Sequence, residues 1–211
     1  MFLTSHNSVA ILTFPPEGGY PRLNREALQD LCQLLNEVRL SGLFHGVVIA
    51  ANSQSFATGA AIEEVNTLAG LPARDFAALG QSVIDQVDEF PLPTVAAIRG
   101  YCLGGGLDLA LACRARVAAY DASFGHPGAS LGLITGWGGT QRLPRLIGKA
   151  AATQLLLTAE RVPATQALSL GLVDELVSSK DLIDSAARCA ERLYMSPSLT
   201  APAQRRVGRR E

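Results

Sequence analysis

Apolar positions along this chain follow two periods. Leu28, Leu31, Leu35 and Val38 recur three or four residues apart, the spacing of one buried helix face, and Gly42 stops the pattern. Asn24 stands just before it, where a side-chain oxygen caps the first free N–H groups. Phe76, Leu79, Val83, Val87 and Phe90 make a second stripe, which predicts a helix over 73–90 closed by Pro91 and Pro93. Four mostly apolar runs lie outside these stripes: Val9 to Phe14, Gly46 to Ala51, Thr94 to Ile98 and Ala115 to Tyr120. They predict strands, and Gly46 to Ala51 is of the kind covered on both faces. A loop of small residues from Asn52 runs into a helix near Glu63. Strands alternate with helices, so the pattern predicts an α/β fold with crossover connections.

The second half is less regular. Asp121 to Gly139 is rich in glycine and serine and has little periodicity. Helices are predicted over 138–147, 150–158 and 165–170, a short strand over 172–177 and a last helix over 181–194. No internal repeat is visible. Residues 1–195 read as one domain. From Ser196 the chain holds Pro197, Pro202 and four arginines (Arg205, Arg206, Arg209 and Arg210), the composition of a basic, disordered tail.

Composition narrows the classes. Of 211 residues, 48% are apolar and 18% charged, which supports a sizeable core and argues against global disorder. A net charge of -1 gives a nucleic-acid partner no electrostatic footing. Cys32, Cys102, Cys113 and Cys189 form no C-x-x-C pair and read as reduced core thiols of a cytoplasmic protein. Met1 to Ala10 lacks a basic region followed by an apolar block, so no signal peptide is expected. No apolar run approaches the ~20 residues of a membrane helix.

The run Thr94 to Ile98 leads through Gly104, Gly105 and Gly106 into a helix-forming stretch, Leu107 to Cys113. A helix start carries unpaired N–H groups and positive dipole, and glycines leave the approach unobstructed. Three glycine motifs can be tested against it. The dinucleotide fingerprint fails because its third glycine place is Leu109. A P-loop fails because Ala150 follows Gly148-Lys149 and Leu143 holds the first glycine place. Gly128-Ala-Ser-Leu-Gly132 fits the nucleophile elbow, but His6, His45 and His126 all precede Ser130, and Pro127 spoils the strand before it. An oxyanion site remains. Backbone N–H groups fixed at the oxygen of a thioester enolate lower the barrier by about 3–4 kcal/mol per donor. Asp108 lies three residues after Gly105, on the same helix face and about 5–6 Å away, where an acid can move a proton on the held substrate. The same residues also serve close packing alone, with Asp108 satisfying the helix start.

Beyond these readings, the chain resembles the crotonase superfamily, the enoyl-CoA hydratase/isomerase group. The matching stretches are Pro21-Arg-Leu-Asn-Arg25, Ser55-Phe-Ala-Thr-Gly-Ala-Ala-Ile62, Gly100-Tyr-Cys-Leu-Gly-Gly-Gly-Leu-Asp-Leu-Ala110 and Phe124-Gly-His-Pro127, then the run Leu131 to Pro144, and Ala167-Leu-Ser-Leu-Gly-Leu-Val173. The resemblance implies a crotonase-like spiral of repeated ββα units with surrounding helices, assembled as a homotrimer or dimer of trimers. It implies an acyl-CoA thioester as substrate and no separate cofactor or metal. It implies oxyanion donors at the N–H groups of Ala60 and Gly105, and Asp108 as the acid. Arg22 and Leu23 would touch the CoA moiety, with Ala60, Ile62, Gly104 and Gly128 also along the substrate.

Five departures shape the expected chemistry. Hydratases of the group use two acids that hold one water; here the first is Asp108, one methylene shorter than the usual glutamate, and the second place is Gly128. A lone carboxylate suits double-bond isomerisation, in which a proton is removed and returned, better than hydration. His126 and Asp121 are the nearby candidates for the missing group, with His126 expected as a structural hydrogen-bonder. Ala61 replaces an acid that usually follows the loop, and Glu63 stands where a basic residue is common. Members of the group usually continue past the equivalent of Tyr194 into helices over the acyl site. These departures also fit a degenerate crotonase that binds acyl-CoA, or a partner, without catalysis.

Overall fold

The computed structural model describes residues 1–15, 19–52 and 54–196; the tail expected to be disordered lies outside them, apart from Ser196. In chain order the elements are β1 (Phe2–His6), β2 (Val9–Thr13), α1 (Arg25–Ser41), β3 (Gly46–Ala50), α2 (Ile62–Val65), α3 (Gly70–Asp88), β4 (Thr94–Ile98), β5 (Tyr101–Leu103), α4 (Gly105–Ala112), β6 (Ala115–Ala119) and β7 (Ser123–Gly125). A 3-10 helical turn, Pro127–Leu131, follows, then α5 (Gly139–Ile147), α6 (Lys149–Thr158), β8 (Val162–Pro163), α7 (Ala164–Ser169), β9 (Glu175–Val177) and α8 (Leu182–Met195).

Among the described residues the larger sheet has six strands in the order β1-β2-β3-β4-β6-β9. All neighbours are parallel except the β1–β2 hairpin. The apolar runs have the cause expected: both faces are covered. Val48, Ala50, Val95, Ala97 and Val117 pack with Leu182, Ala186, Ala187 and Ala190 of α8. Val47, Ile49, Ala96, Ile98 and Ala118 pack on the other side, with the buried stripes of α1 and α3. Small residues on α8 let it lie close; a Cβ on Gly46 would stand 2.9 Å from the Ala190 side chain. The α1 start is capped as the sequence predicts, Ala27 N–H donating to Asn24 Oδ1 at 2.8 Å. One charge is buried in the sheet: Arg116, 1% exposed, donates to Leu172 O (2.8 Å), Cys113 O (3.0 Å) and Asp174 Oδ2 (2.9 Å), which ties β6 to the segment entering β9.

A smaller sheet, β5-β7-β8, makes the fold a spiral. Each turn of chain leaves the large sheet and crosses to the small one. After β3 it crosses at Ala57, after β4 at β5 and after β6 at β7; Ala57 bridges Cys102, and Cys102 pairs with Phe124. This corrects the direct strand-to-glycine-to-helix reading. Gly100 (φ +55°) ends the Thr94–Ile98 strand with a sharp turn, and β5 belongs to the second sheet. The helix then starts at Gly105, two residues before Leu107. The stretch with little periodicity, 121–139, contains β7 and the 3-10 turn. Helix α3 begins at Gly70, earlier than the apolar stripe suggests, because Pro72 is tolerated in a first turn.

Candidate active site

The parallel register of the spiral builds the site. Ala57, Cys102 and Phe124 lie side by side, so the residues that follow each of them meet at one end of the small sheet. Gly59 (φ +96°) comes against the glycine turn; a Cβ on it would sit 2.9 Å from Gly105 N and 3.0 Å from Leu103 O. Only a glycine permits that approach. Neither Ala60 nor Gly105 spends its N–H on a backbone hydrogen bond among the described residues. Gly104 turns the chain at φ +52° and donates its own N–H to Gly125 O at 2.9 Å, which fixes the end of β7 against the start of α4.

The loop holding Arg22 and Leu23 is laid over this point by backbone pairing. Leu23 N–H donates to Gly59 O (2.8 Å), and Thr58 N–H to Pro21 O (2.8 Å). Leu23 is 1% exposed, so it belongs to the core. Arg22 is exposed and paired with Glu63 at 2.6 Å. It also lines a groove of about 500 Å³ with Tyr20, Pro21 and Asn24. Ile62 is half exposed beside them.

Asp108 is one helical turn into α4, its N–H bonded to Gly104 O (3.0 Å), and only 1% exposed. Thr135 Oγ1 donates to Asp108 Oδ2, whereas Oδ1 has no hydrogen-bond partner among the described residues. Burial raises this carboxyl from its ordinary 3.8 to about 6; the Thr135 hydroxyl, the Trp137 and Gly139 N–H groups and the Arg142 charge pull it partly back. Those two N–H groups act without completing a hydrogen bond to Oδ1.

The glycine-rich segment with little periodicity supplies this cap. Arg142 bonds Asp85 (2.7 Å) and Asp88 (3.0 Å) on α3 and Trp137 O (3.2 Å), and Gln81 donates to Gly136 O (2.8 Å). The indole of Trp137 is thereby wedged between two glycines: a Cβ on Gly80 would meet it at 2.1 Å, and one on Gly105 at 2.5 Å. Thr135 and Trp137 escaped the sequence reading because their roles come from tertiary folding of an aperiodic loop.

Of the two nearby candidates for a second group, Asp121 turns away to pair with Arg99 (3.6 Å) at a half-exposed surface. His126 turns in: it is 3% exposed, with Nε2 3.7 Å from Asp108 Oδ1, and neither ring nitrogen has a hydrogen-bond partner among the described residues. The expectation of a structural hydrogen-bonder is therefore corrected. Gly128 lies beyond it, its absent Cβ facing Leu133 O at 3.3 Å rather than Asp108. No described group of three or more His, Cys, Asp or Glu residues is arranged to hold a metal, and no described helix is long and apolar enough to cross a membrane.

A two-sheet spiral whose turns end at a glycine helix start beside a buried carboxyl is the scaffold of the crotonase superfamily, and solved structures agree. An enoyl-CoA hydratase from Bacillus anthracis matches with a TM-score of 0.86 at 31% identity, over 91% of this chain and 75% of that one. The family model for enoyl-CoA hydratase/isomerase matches residues 4–207. The crotonyl-CoA hydratase of Syntrophomonas wolfei is 35% identical over 94% of this chain and 77% of its own length. The short-chain-enoyl-CoA hydratase of Clostridium acetobutylicum is 33% identical over 92% and 74%. The chain belongs to the enoyl-CoA hydratase/isomerase family.

Proposed function

We infer that this enzyme binds an acyl-CoA thioester and stabilises its enolate between the N–H groups of Ala60 and Gly105, with Asp108 moving the proton. The observation that carries this is the close approach of Gly59, the residue before Ala60, to Gly105 N, with neither the Ala60 nor the Gly105 N–H spent on a backbone hydrogen bond among the described residues, one helical turn from a buried acid. Charge that develops on the thioester oxygen is met by fixed donors that need not reorganise. A carboxyl raised to about 6 is poised to give and take a proton near neutral pH. The CoA moiety would lie along Arg22 and the Leu23 backbone, and the acyl part past Ile62, Gly104 and Gly128. The expected assembly is a homotrimer or dimer of trimers in the cytoplasm, with the thioester as substrate and no further cofactor.

Both reactions of the family run through the same enolate. Crotonyl-CoA tests hydration by loss of enoyl absorbance, and a 3-enoyl-CoA tests isomerisation by its gain. Asp108→Asn is expected to lower turnover at least about tenfold while calorimetry still detects the CoA ester. Wild-type turnover in that variant removes Asp108 from the chemistry. The binding-only reading draws on the seal over Asp108, 1% exposed beneath Thr135. Binding without any absorbance change in either assay would establish it.

A further inference from the structure

His126 has a place in the fold that neither packing nor the family's second-acid position explains. It follows β7 directly, and the Leu103–Gly125 pairing sets it beside the glycine turn. Its ring is 3% exposed and its two nitrogens are unpartnered, as is Asp108 Oδ1, 3.7 Å from Nε2. Burying three polar atoms together without partners costs about 1–3 kcal/mol each, so an apolar residue at 126 would suit the core better. Gly139 packs directly against both groups: a Cβ on it would lie 2.2 Å from Asp108 Oδ1 and 3.1 Å from the His126 ring, so only a glycine lets this backbone come so close to the two. Gly139 is also the first residue of α5, a nine-residue helix whose N-terminal positive dipole favours developing negative charge.

We propose that Asp108 Oδ1, His126 Nε2 and the Gly139 backbone seat one water, and that His126 is the base that activates it in place of the carboxylate absent at Gly128. The proposal rests on the enolate reading above. Two atoms 3.7 Å apart are too far for a direct hydrogen bond, yet both lie within reach of one water beside them. Seen from that water they stand about 80° apart, so the side chains separate by under about 1 Å to reach its tetrahedral angle. A neutral imidazole offers one lone pair and one N–H; the lone pair belongs on Nε2, facing the site.

The step balances without any co-reactant. The water oxygen bonds the β-carbon while one of its O–H bonds breaks and the proton passes to Nε2. The π pair of the double bond moves to the thioester oxygen between Ala60 and Gly105. The enolate then takes a proton at its α-carbon from the Asp108 carboxyl. The imidazolium returns its proton to the Asp108 carboxylate, and the next water enters. The step starts from a carboxylic acid beside a neutral imidazole, a pair that burial favours between pH ~4 and pH ~6 by raising Asp108 to about 6 and lowering His126 to about 4.

The test compares wild type with His126→Gln on both substrates. The ratio of hydration of crotonyl-CoA to isomerisation of a 3-enoyl-CoA is expected to fall at least about tenfold, through kcat, with KM for crotonyl-CoA held within about twofold. Equal loss of both reactions, or an unchanged ratio, overturns the proposal. If wild type turns over neither substrate, the enolate reading fails by itself, and a high-resolution crystal structure still judges the seat. A water within hydrogen-bond distance of Asp108 Oδ1 and His126 Nε2 supports it, and a direct contact between the two with no water overturns it. The crystal structure of wild type also decides the matter if His126→Gln does not fold.

Discussion

Asp108 and His126 bind protons with opposite biases, and the stability of the fold should carry both signatures. Burial lifts Asp108 from 3.8 to about 6, so the folded state holds this proton more tightly than the unfolded chain. Its contribution is fully present below pH ~4 and is lost as pH rises through about 6, a loss of about 3 kcal/mol. Burial drops His126 from 6.5 to about 4, so here the unfolded chain holds the proton more tightly. That contribution is present above pH ~6.5 and is lost as pH falls through about 4, again by about 3 kcal/mol. In wild type the two slopes nearly cancel across this window. Asp108→Asn removes one of them. Relative to wild type, the variant is expected to gain about 3 kcal/mol between pH ~4 and pH ~7, because only the His126 slope remains. Urea unfolding of both proteins at equal concentration across that range measures the difference directly, and every carboxyl they share drops out. Parallel profiles, differing by a constant offset, would refute the claim that burial makes Asp108 retain its proton in the folded state.

Two further outcomes follow from charges elsewhere. Arg116→Ala leaves the Leu172 and Cys113 carbonyls without their donor, while half-exposed Asp174 keeps the backbone N–H of residue 116, and is expected to cost about 2–4 kcal/mol in urea unfolding; a loss under about 1 kcal/mol would mean that water replaces the guanidinium. Glu63→Gln releases Arg22 from its exposed pair, so KM for an acyl-CoA is expected to fall by about twofold at low salt and to converge with wild type as salt is raised. A salt-independent KM would show that Arg22 does not meet the CoA phosphates.

Much of this architecture is legible in one sequence because its causes are local. The Leu28–Val38 stripe, the Asn24 cap and the runs Gly46–Ala51 and Thr94–Ile98 state their element and their burial directly. The missed strands are β1, which buries none of its residues and ends at an Asn7 turn at φ 51°, and the two- and three-residue strands of the small sheet. Strands that short have no period to read, and their pairing exists only once the spiral closes. The site divides the same way. Gly105 and Asp108 announce themselves by spacing along one helix. The contacts of Thr135, Trp137 and His126 with that helix come from a loop whose path is fixed by Arg142 of α5 bonding Asp85 and Asp88 of α3. One signal was available for His126: from Ala122 to Gly139 it stands among residues that carry no charge, so no local ion pair could hold it.

Trp137 is the only tryptophan of the chain, and it is wedged between Gly80 and Gly105 with 6% of its surface exposed. The wall behind one inferred oxyanion donor is therefore a fluorophore. Its indole sits edge-on to Phe76 and away from water, so its emission starts blue-shifted. Any ligand that shifts α4 by a fraction of an ångström, or lifts the 135–138 segment to reach Asp108, changes the polarity around this ring. Occupancy of the site can then be followed optically in the unlabelled protein, with no turnover required.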